Sequence, residues 1–191
     1  MRKSSHKINN LILNRWSSRA MSGEAISEEE LMSLFEAARW APSSYNNQPW
    51  RFIYTKNGSE DWNKFFNLLI EFNQQWCKNA SVLIIVISKK KFDHDSSMSS
   101  VTHSFDTGAA CENLALEGVS RGLVVHGMQG FDYEKTKKVF NISDDYSVEA
   151  MFVVGKKGNK DNLPEGLQKG EVMSDRKPLN QIVFENSFNE G

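Results

Sequence analysis

Val82 to Ser88 (VLIIVIS) is the segment that most constrains the fold. A strand with one wet face alternates apolar and polar residues. This run has no polar residue before Ser88, so it reads as a β-strand covered on both faces. Six apolar residues, Val82 to Ile87, are far too few to span a bilayer. The strand therefore calls for a sheet held between two helical layers.

The flanking sequence supplies both layers. Ser27-Glu28-Glu29-Glu30 is a capping box that opens a helix with Leu31, Leu34, Phe35 and Ala38 on one face. Pro42 bars its continuation, so it should stop near Trp40. Trp62, Phe65, Phe66, Leu69 and Ile70 repeat at helical spacing, and an Ala- and Leu-rich helix from about Ser104 to Arg121 closes at Gly122. Asp132 can cap a short helix running to about Phe140. A short apolar cluster within residues 1–14 suggests one more helix. Trp50 to Thr55, Leu123 to Val125 and Val148 to Val154 have strand composition, and 89–101 reads as a polar surface loop. No internal repeat or low-complexity linker interrupts the 191 residues, a length that suits one domain. The tail is polar from Lys156 and turns apolar again at Ile182, Val183 and Phe184, as an arm packing on a second subunit would.

Net charge is -1, with 39% hydrophobic and 25% charged residues, which gives no global field to attract nucleic acid or an anionic membrane. Any anion must be held by a local cluster. The two cysteines, Cys77 and Cys111, form no CxxC, and the N-terminus has no long apolar stretch. The expectation is a protein of the reducing cytoplasm, without metal or membrane span.

Three segments could carry chemistry. Arg15 and Arg19 lie four apart with Ser17 between them, and Arg176-Lys177 stands near the C-terminus; guanidinium groups beside hydroxyls suit a phosphate monoester. On spacing alone these read as solvated basic pairs. Pro42-Ser43-Ser44-Tyr45-Asn46-Asn47-Gln48-Pro49-Trp50, between a helix and a strand, has the amides and hydroxyls that read a heterocycle edge, and reads about equally as a loop satisfying its own backbone. Gly127-Met128-Gln129-Gly130-Phe131 follows a strand and permits close backbone approach to a ligand, or is an ordinary turn. There is no GxSxG, Walker motif, HExxH or GxGxxG, and His6, His94, His103 and His126 lack metal-ligand spacing. No acid/base pair is singled out, which suits an enzyme whose cofactor carries the reaction.

Taken in order, Arg15-Trp16-Ser17-Ser18-Arg19, Ala38-Arg39-Trp40-Ala41 leading into the Pro42–Trp50 block, Gly122-Leu123, Gly127 to Asp132 and Ser174-Asp175-Arg176-Lys177-Pro178-Leu179 resemble the FMN-dependent nitroreductase family over nearly the whole chain. The block ending in APSSYNNQPW is the specific one. The resemblance implies an α+β fold: a three-layer α-β-α sandwich with a mixed, mainly antiparallel sheet, in a homodimer exchanging its C-terminal arm (about 170–191). It implies that Arg15, Ser17 and Arg19, with Trp16 among them where many relatives carry Arg or His, meet the FMN phosphate and flavin edge. Arg176 would close on the phosphate, with Lys177 as a helper. Pro42, Ser43, Ser44 and Asn46 would line the flavin from the partner subunit, Asn73 would contact the isoalloxazine, and the backbone of Gln129 and Gly130 would face flavin N5.

The implied activity is ping-pong transfer of electron pairs from NAD(P)H through FMN to a small electron-poor acceptor such as a nitroaromatic or quinone, with no obligatory catalytic side chain. Reductive dehalogenation or substrate oxidation is the alternative within the family. An FMN-binding redox sensor or store is the alternative outside enzymes.

Overall fold

The computed structural model describes residues 2–188. Along the chain come α1 (Asn10–Asn14), α2 (Glu28–Arg39), β1 (Trp50–Lys56), α3 (Trp62–Phe66), α4 (Glu71–Cys77) and β2 (Val82–Lys89). They are followed by α5 (His103–Ser120), β3 (Leu123–Met128), α6 (Tyr133–Val139), β4 (Tyr146–Lys156) and α7 (Glu165–Gln168). The strands form a single sheet in the order β1-β2-β4-β3. Every pairing is antiparallel.

Because β2 lies inside the sheet, its alternate side chains feed two separate cores. Val82, Ile84 and Val86 pack with Leu31, Leu34 and Leu114 of α2 and α5. Leu83, Ile85 and Ile87 face the other way, toward Phe65, Trp76 and Cys77 of α3 and α4. All six are buried, as the unbroken apolar run requires. The α+β three-layer sandwich expected from the sequence is therefore the observed architecture.

Local chemistry fixes most boundaries. The capping box at Ser27 and Glu30 is formed in both directions, and α2 gives way at Trp40, two residues before Pro42. The helix expected from Ser104 spans His103–Ser120 and ends where Gly122 takes φ 71°. Asp132 caps α6 by accepting from the amide of Lys135.

Two expectations change. The helical pattern from Trp62 to Ile70 stops at Phe66, because the chain pairs instead with the turn after β3: Leu69 bridges Phe131, and the amide of Asp132 bonds to the carbonyl of Leu68. The sheet, expected to be mixed, contains no parallel pair among the described residues, where the chain after β4 forms no strand. The short helix expected within 1–14 is present as five residues after the N-cap Asn9. β4 also carries an extra residue, Glu149, opposite the Val86–Ile87 step of β2. Such a bulge re-aims a side chain. The Glu149 carboxylate accepts from the hydroxyls of Ser88 and Ser104 and so ties the start of α5 to the sheet.

Helix α5 approaches β3 so closely that a Cβ at Gly118 would lie 2.3 Å from Cγ2 of Val125. Val125 is β-branched and buried, so it has little freedom to move. Gly118→Ala is expected to destabilise the protein by about 1–3 kcal/mol through overpacking, outweighing the roughly 1 kcal/mol of helix propensity that alanine adds. Urea unfolding at one fixed protein concentration tests this, and a stabilised variant would refute the packing argument.

Candidate functional site

After α1 the chain runs extended from Arg15 to Met21 and lies against the end of β4, where Met21 bridges Lys157 and the carbonyl of Ala20 accepts from Gly158. Two groups that sequence reasoning missed hold this segment. The buried carboxylate of Glu171 accepts from the Ser18 hydroxyl and from the backbone amides of Arg19 (3.0 and 3.1 Å) and Ala20 (3.1 Å). His126 of β3 donates from Nδ1 to the carbonyl of Ser18 at 3.0 Å, which leaves Nε2 without a proton in the neutral ring. Neither residue belongs to a motif, and only the folded chain brings 171 and 126 to 18.

The clamp aims the basic side chains. The Arg19 guanidinium lies 5.9 Å from the Trp76 ring centre and 6.0 Å from that of Phe72. Its Nε is buried without a hydrogen-bond partner, and no carboxylate pairs with it among the described residues. Arg15 reaches Ser17 Oγ at 3.4 Å and Glu112 at 3.5 Å, and Trp16 lies 6.0 Å from the Lys157 ammonium. Burial lowers the His126 pKa from its usual value, and the charges of Arg19 and Arg15 push the same way, against the Ser18 hydrogen bond and Glu171.

The second group joins the first through Trp76, whose ring lies 4.6 Å from that of His126. Its Nε1 donates to Asn73 Oδ1 at 3.3 Å, and Asn73 Nδ2 donates to the carbonyl of Gly130 at 2.9 Å. A Cβ on Gly130 would stand 2.5 Å from that same nitrogen and 2.8 Å from Cδ1 of Ile70, so any larger residue there would have to displace the Asn73 side chain from its bond to the turn. Asn73 thus grips the Gln129–Gly130 turn.

The 42–48 loop is rigid from beneath. Tyr45, Asn46 and Gln48 all adopt positive φ (51°, 54° and 49°), a conformation unfavourable for bulky residues. Ser43 Oγ accepts from the Gln48 amide, the Ser44 amide donates to Asp106 of α5, and buried Asn47 accepts from the amide of Asp93. Pro42 and Asn46 are exposed. This loop enters β1 at Trp50 on one sheet edge, whereas His126 lies in β3 at the other, about 14 Å across three inter-strand spacings and level with Thr55, so the loop is farther from it still. Among the described residues no hydrogen bond, ion pair or ring contact joins the loop to Arg15, Ser17, Arg19, Asn73, Gln129 or Gly130. Arg176 and Lys177 lie on the exposed tail, with Arg176 Nη1 bonded to Ser174 Oγ at 3.1 Å.

The two cysteines are free. Burial pushes both thiols up, Cys111 to about 12, so neither is a thiolate nucleophile at neutral pH. No group of three metal-ligating side chains occurs among the described residues, and no helix there is long and apolar enough to cross a membrane.

The sequence model described as the Nitroreductase family matches residues 12–72 and 69–156. The chain belongs to the nitroreductase family. It is 24% identical over 200 residues to a Bacillus subtilis protein provisionally named NAD(P)H nitroreductase MhqN, covering 88% of this chain and 93% of that one. The Major NAD(P)H-flavin oxidoreductase of Aliivibrio fischeri is 31% identical over 93 residues, 47% of this chain and 43% of its own. A solved structure described as an oxidoreductase containing FMN is 42% identical and superposes with a TM-score of 0.95, over 100% of this chain and 97% of that one. A nitroreductase family protein from Clostridium difficile shares the fold at 21% identity and TM-score 0.72, with 96% and 100% covered.

The lowered His126 pKa has a defined consequence for stability. Because the folded value lies below the unfolded one near 6.5, stability is unaffected above that pH. It falls as pH drops below about 6.5, at no more than about 1.4 kcal/mol per pH unit from this group. Asn can keep a donor near the position of Nδ1 but does not titrate. His126→Asn is therefore expected to flatten that part of the profile in urea unfolding between pH 7.5 and 5.5, and an unchanged slope would refute the assignment.

Proposed function

We propose that this nitroreductase family member is an FMN-dependent oxidoreductase that passes electron pairs from NAD(P)H to small electron-poor acceptors such as nitroaromatics or quinones, in a ping-pong sequence. The observation that carries this reading is Arg19: a guanidinium laid near two aromatic rings, with a buried Nε that no group among the described residues satisfies and no carboxylate paired with it there. An anionic ligand with polar acceptors answers both deficits, and FMN offers a phosphate and a ring edge.

FMN, when bound, supplies the chemistry by accepting and returning a hydride equivalent at N5. The chain supplies position. Arg15, Ser17 and Arg19 receive the phosphate and flavin edge together with Arg176, with Lys177 and Trp16 beside them. Asn73 acts through the turn it grips, holding the Gln129 and Gly130 backbone where N5 would face it. Three arginines can balance a phosphate of charge near -2. Both thiols are protonated at neutral pH, so neither competes as a nucleophile, and free cysteines suit a reducing cytoplasm.

The same reading places Pro42, Ser43, Ser44 and Asn46 against the flavin of a second copy. Their position at the far sheet edge supports this. So does the arm of about residues 170–191: up to Phe188 it exposes Leu179, Ile182, Val183, Phe184 and Phe188, an apolar surface a lone subunit leaves wet. The last three positions of the arm lie outside the described residues. Light scattering is expected to give twice the chain mass, and the mass of one chain would overturn the shared site.

The cofactor reading is tested by absorption spectroscopy under anaerobic conditions. The purified protein is expected to be yellow, to bleach with NADH or NADPH, and to regain colour with a nitroaromatic or quinone. Arg19→Ala should weaken FMN binding by roughly 10- to 100-fold, the worth of a charge-assisted hydrogen bond. A colourless protein that takes up no FMN would end the proposal.

A further inference from the structure

Arg2 lies outside every motif considered so far. Its Nε donates to the carbonyl of Ser174 at 2.7 Å, and its Nη1 donates to the carbonyls of Leu13 at 3.2 Å and Arg15 at 2.6 Å. One guanidinium thus binds three carbonyls from two distant parts of the chain. Leu13 and Arg15 flank the end of α1, where helix carbonyls run out of backbone partners. Ser174 belongs to the segment that carries Arg176, and the same Ser174 oxygen also accepts from Arg176 Nη1 at 3.4 Å. Two cationic groups therefore meet on one carbonyl oxygen, while Arg2 also touches the backbone of a third, Arg15.

The carboxylates nearby leave this charge largely unbalanced. Glu171 is committed to Ser18 and two backbone amides, and Glu112 lies 3.5 Å from Arg15 with about half of its side chain in water. Among the described residues, the charge of Asp175 favours protonated Arg2. Burial first, then the charges of Arg176 and Arg15, hold the Arg2 pKa below its ordinary value. Arg2 also lines two adjoining hollows, both shared with Lys3 and Asp175: one of about 640 Å³ that Trp16 and Glu171 also line, and one of about 420 Å³ that Arg176 and Lys177 also line. Guanidinium groups gathered at the mouth of a cavity are stabilised by a multivalent anion.

We propose that Arg2 completes the FMN phosphate site, fixing the Arg15 backbone and the Ser174–Arg176 segment in one cluster and adding its own charge, so that the phosphate is received from three separate segments of the chain. This rests on the FMN reading above. Arg2 is in the first place a positioning residue, since its Nε and Nη1 are already given to carbonyls. It also binds the start of the C-terminal arm to the flavin site, so the arm is placed from within its own subunit before it reaches a second one.

Riboflavin separates the phosphate from the rest of the cofactor. Fluorescence titrations of the full chain with FMN and with riboflavin are to be compared for wild type, Arg2→Ala and Arg2→Lys. Arg2→Ala is expected to weaken FMN about tenfold or more and riboflavin less than about twofold. Arg2→Lys should recover only part of the loss, because lysine keeps the charge but cannot span three carbonyls as a planar fork does. The FMN affinity of wild type should also fall more steeply with salt than that of Arg2→Ala. An unchanged FMN affinity, equal weakening of both ligands, or an unchanged salt slope overturns the role of Arg2. A wild-type chain that binds neither flavin overturns the FMN reading and this inference together. A wild type that binds FMN no better than Arg2→Ala overturns the inference alone.

Discussion

The constraint on which the rest of the structure depends is the burial of β2 on both faces. Six successive apolar residues cannot be left half wet, so helices must cover the sheet on each side. That requirement places α2 and α5, with the 42–48 loop at the end of α2, on one face. It places α3 and α4, with Asn73 and Trp76, on the other. Strand pairing on either side of β2 then leaves β1 and β3 as opposite edges of a four-stranded sheet, with the loop leading into one and His126 on the other. The separation of the polar loop from the arginine segment follows from that strand order.

Within the arginine half, order comes from a buried anion. Glu171 is the last buried residue before the exposed arm, and it holds the backbone of residues 18–20 through one hydroxyl and two amides. A buried carboxylate is tolerated only when its oxygens are satisfied, and here the partners are neutral donors. The charge of Arg19 is therefore not consumed by the group that positions its backbone. His126 adds a second grip on Ser18, and its proton assignment follows from accepting partners on one side and an aromatic neighbour on the other. A segment fixed through its backbone, with Arg19 left without a carboxylate partner among the described residues and Arg15 only 3.5 Å from half-exposed Glu112, differs from a surface patch in which arginines fold back on nearby acids, as Arg39 does on Glu36.

Much of this was legible in the sequence, and the limits have physical causes. The two-sided strand, the capping box, the Pro42 stop and the Gly122 end are local signals, and each is realised within a residue or two. The helix expected through Ile70 failed because a tertiary pairing with the turn after β3 outcompeted local periodicity. Arg15, Ser17, Arg19 and Gly130 stood out by motif and Asn73 only by the family resemblance, and the fold links Arg19 to Gly130 through Trp76 and Asn73. Glu171, His126 and Arg2 gave no sequence signal, because their roles are hydrogen bonds across roughly a hundred residues or more, apart from Arg2's own local ties to Leu13 and Arg15. Spacing reports contacts along a helix or strand; it is silent on contacts made by folding back.

The conformation of the 42–48 loop bears on what that loop is for. Residues other than glycine held at positive φ cost of order 1–3 kcal/mol each, and Tyr45, Asn46 and Gln48 lie within four positions. The core gains little from the arrangement, since Tyr45 and Asn46 are exposed and Tyr45 leaves most of its ring in water. Yet the loop is pinned from beneath by Ser43, Asp106 and Asn47, so its shape is kept rather than tolerated. A strained, exposed and immobilised polar surface is what a ligand from outside the subunit could read without paying to order it. On the proposed reading that ligand is the flavin held by the arginine segment of a second copy. The cost of the loop is then met at an interface that one chain cannot form alone.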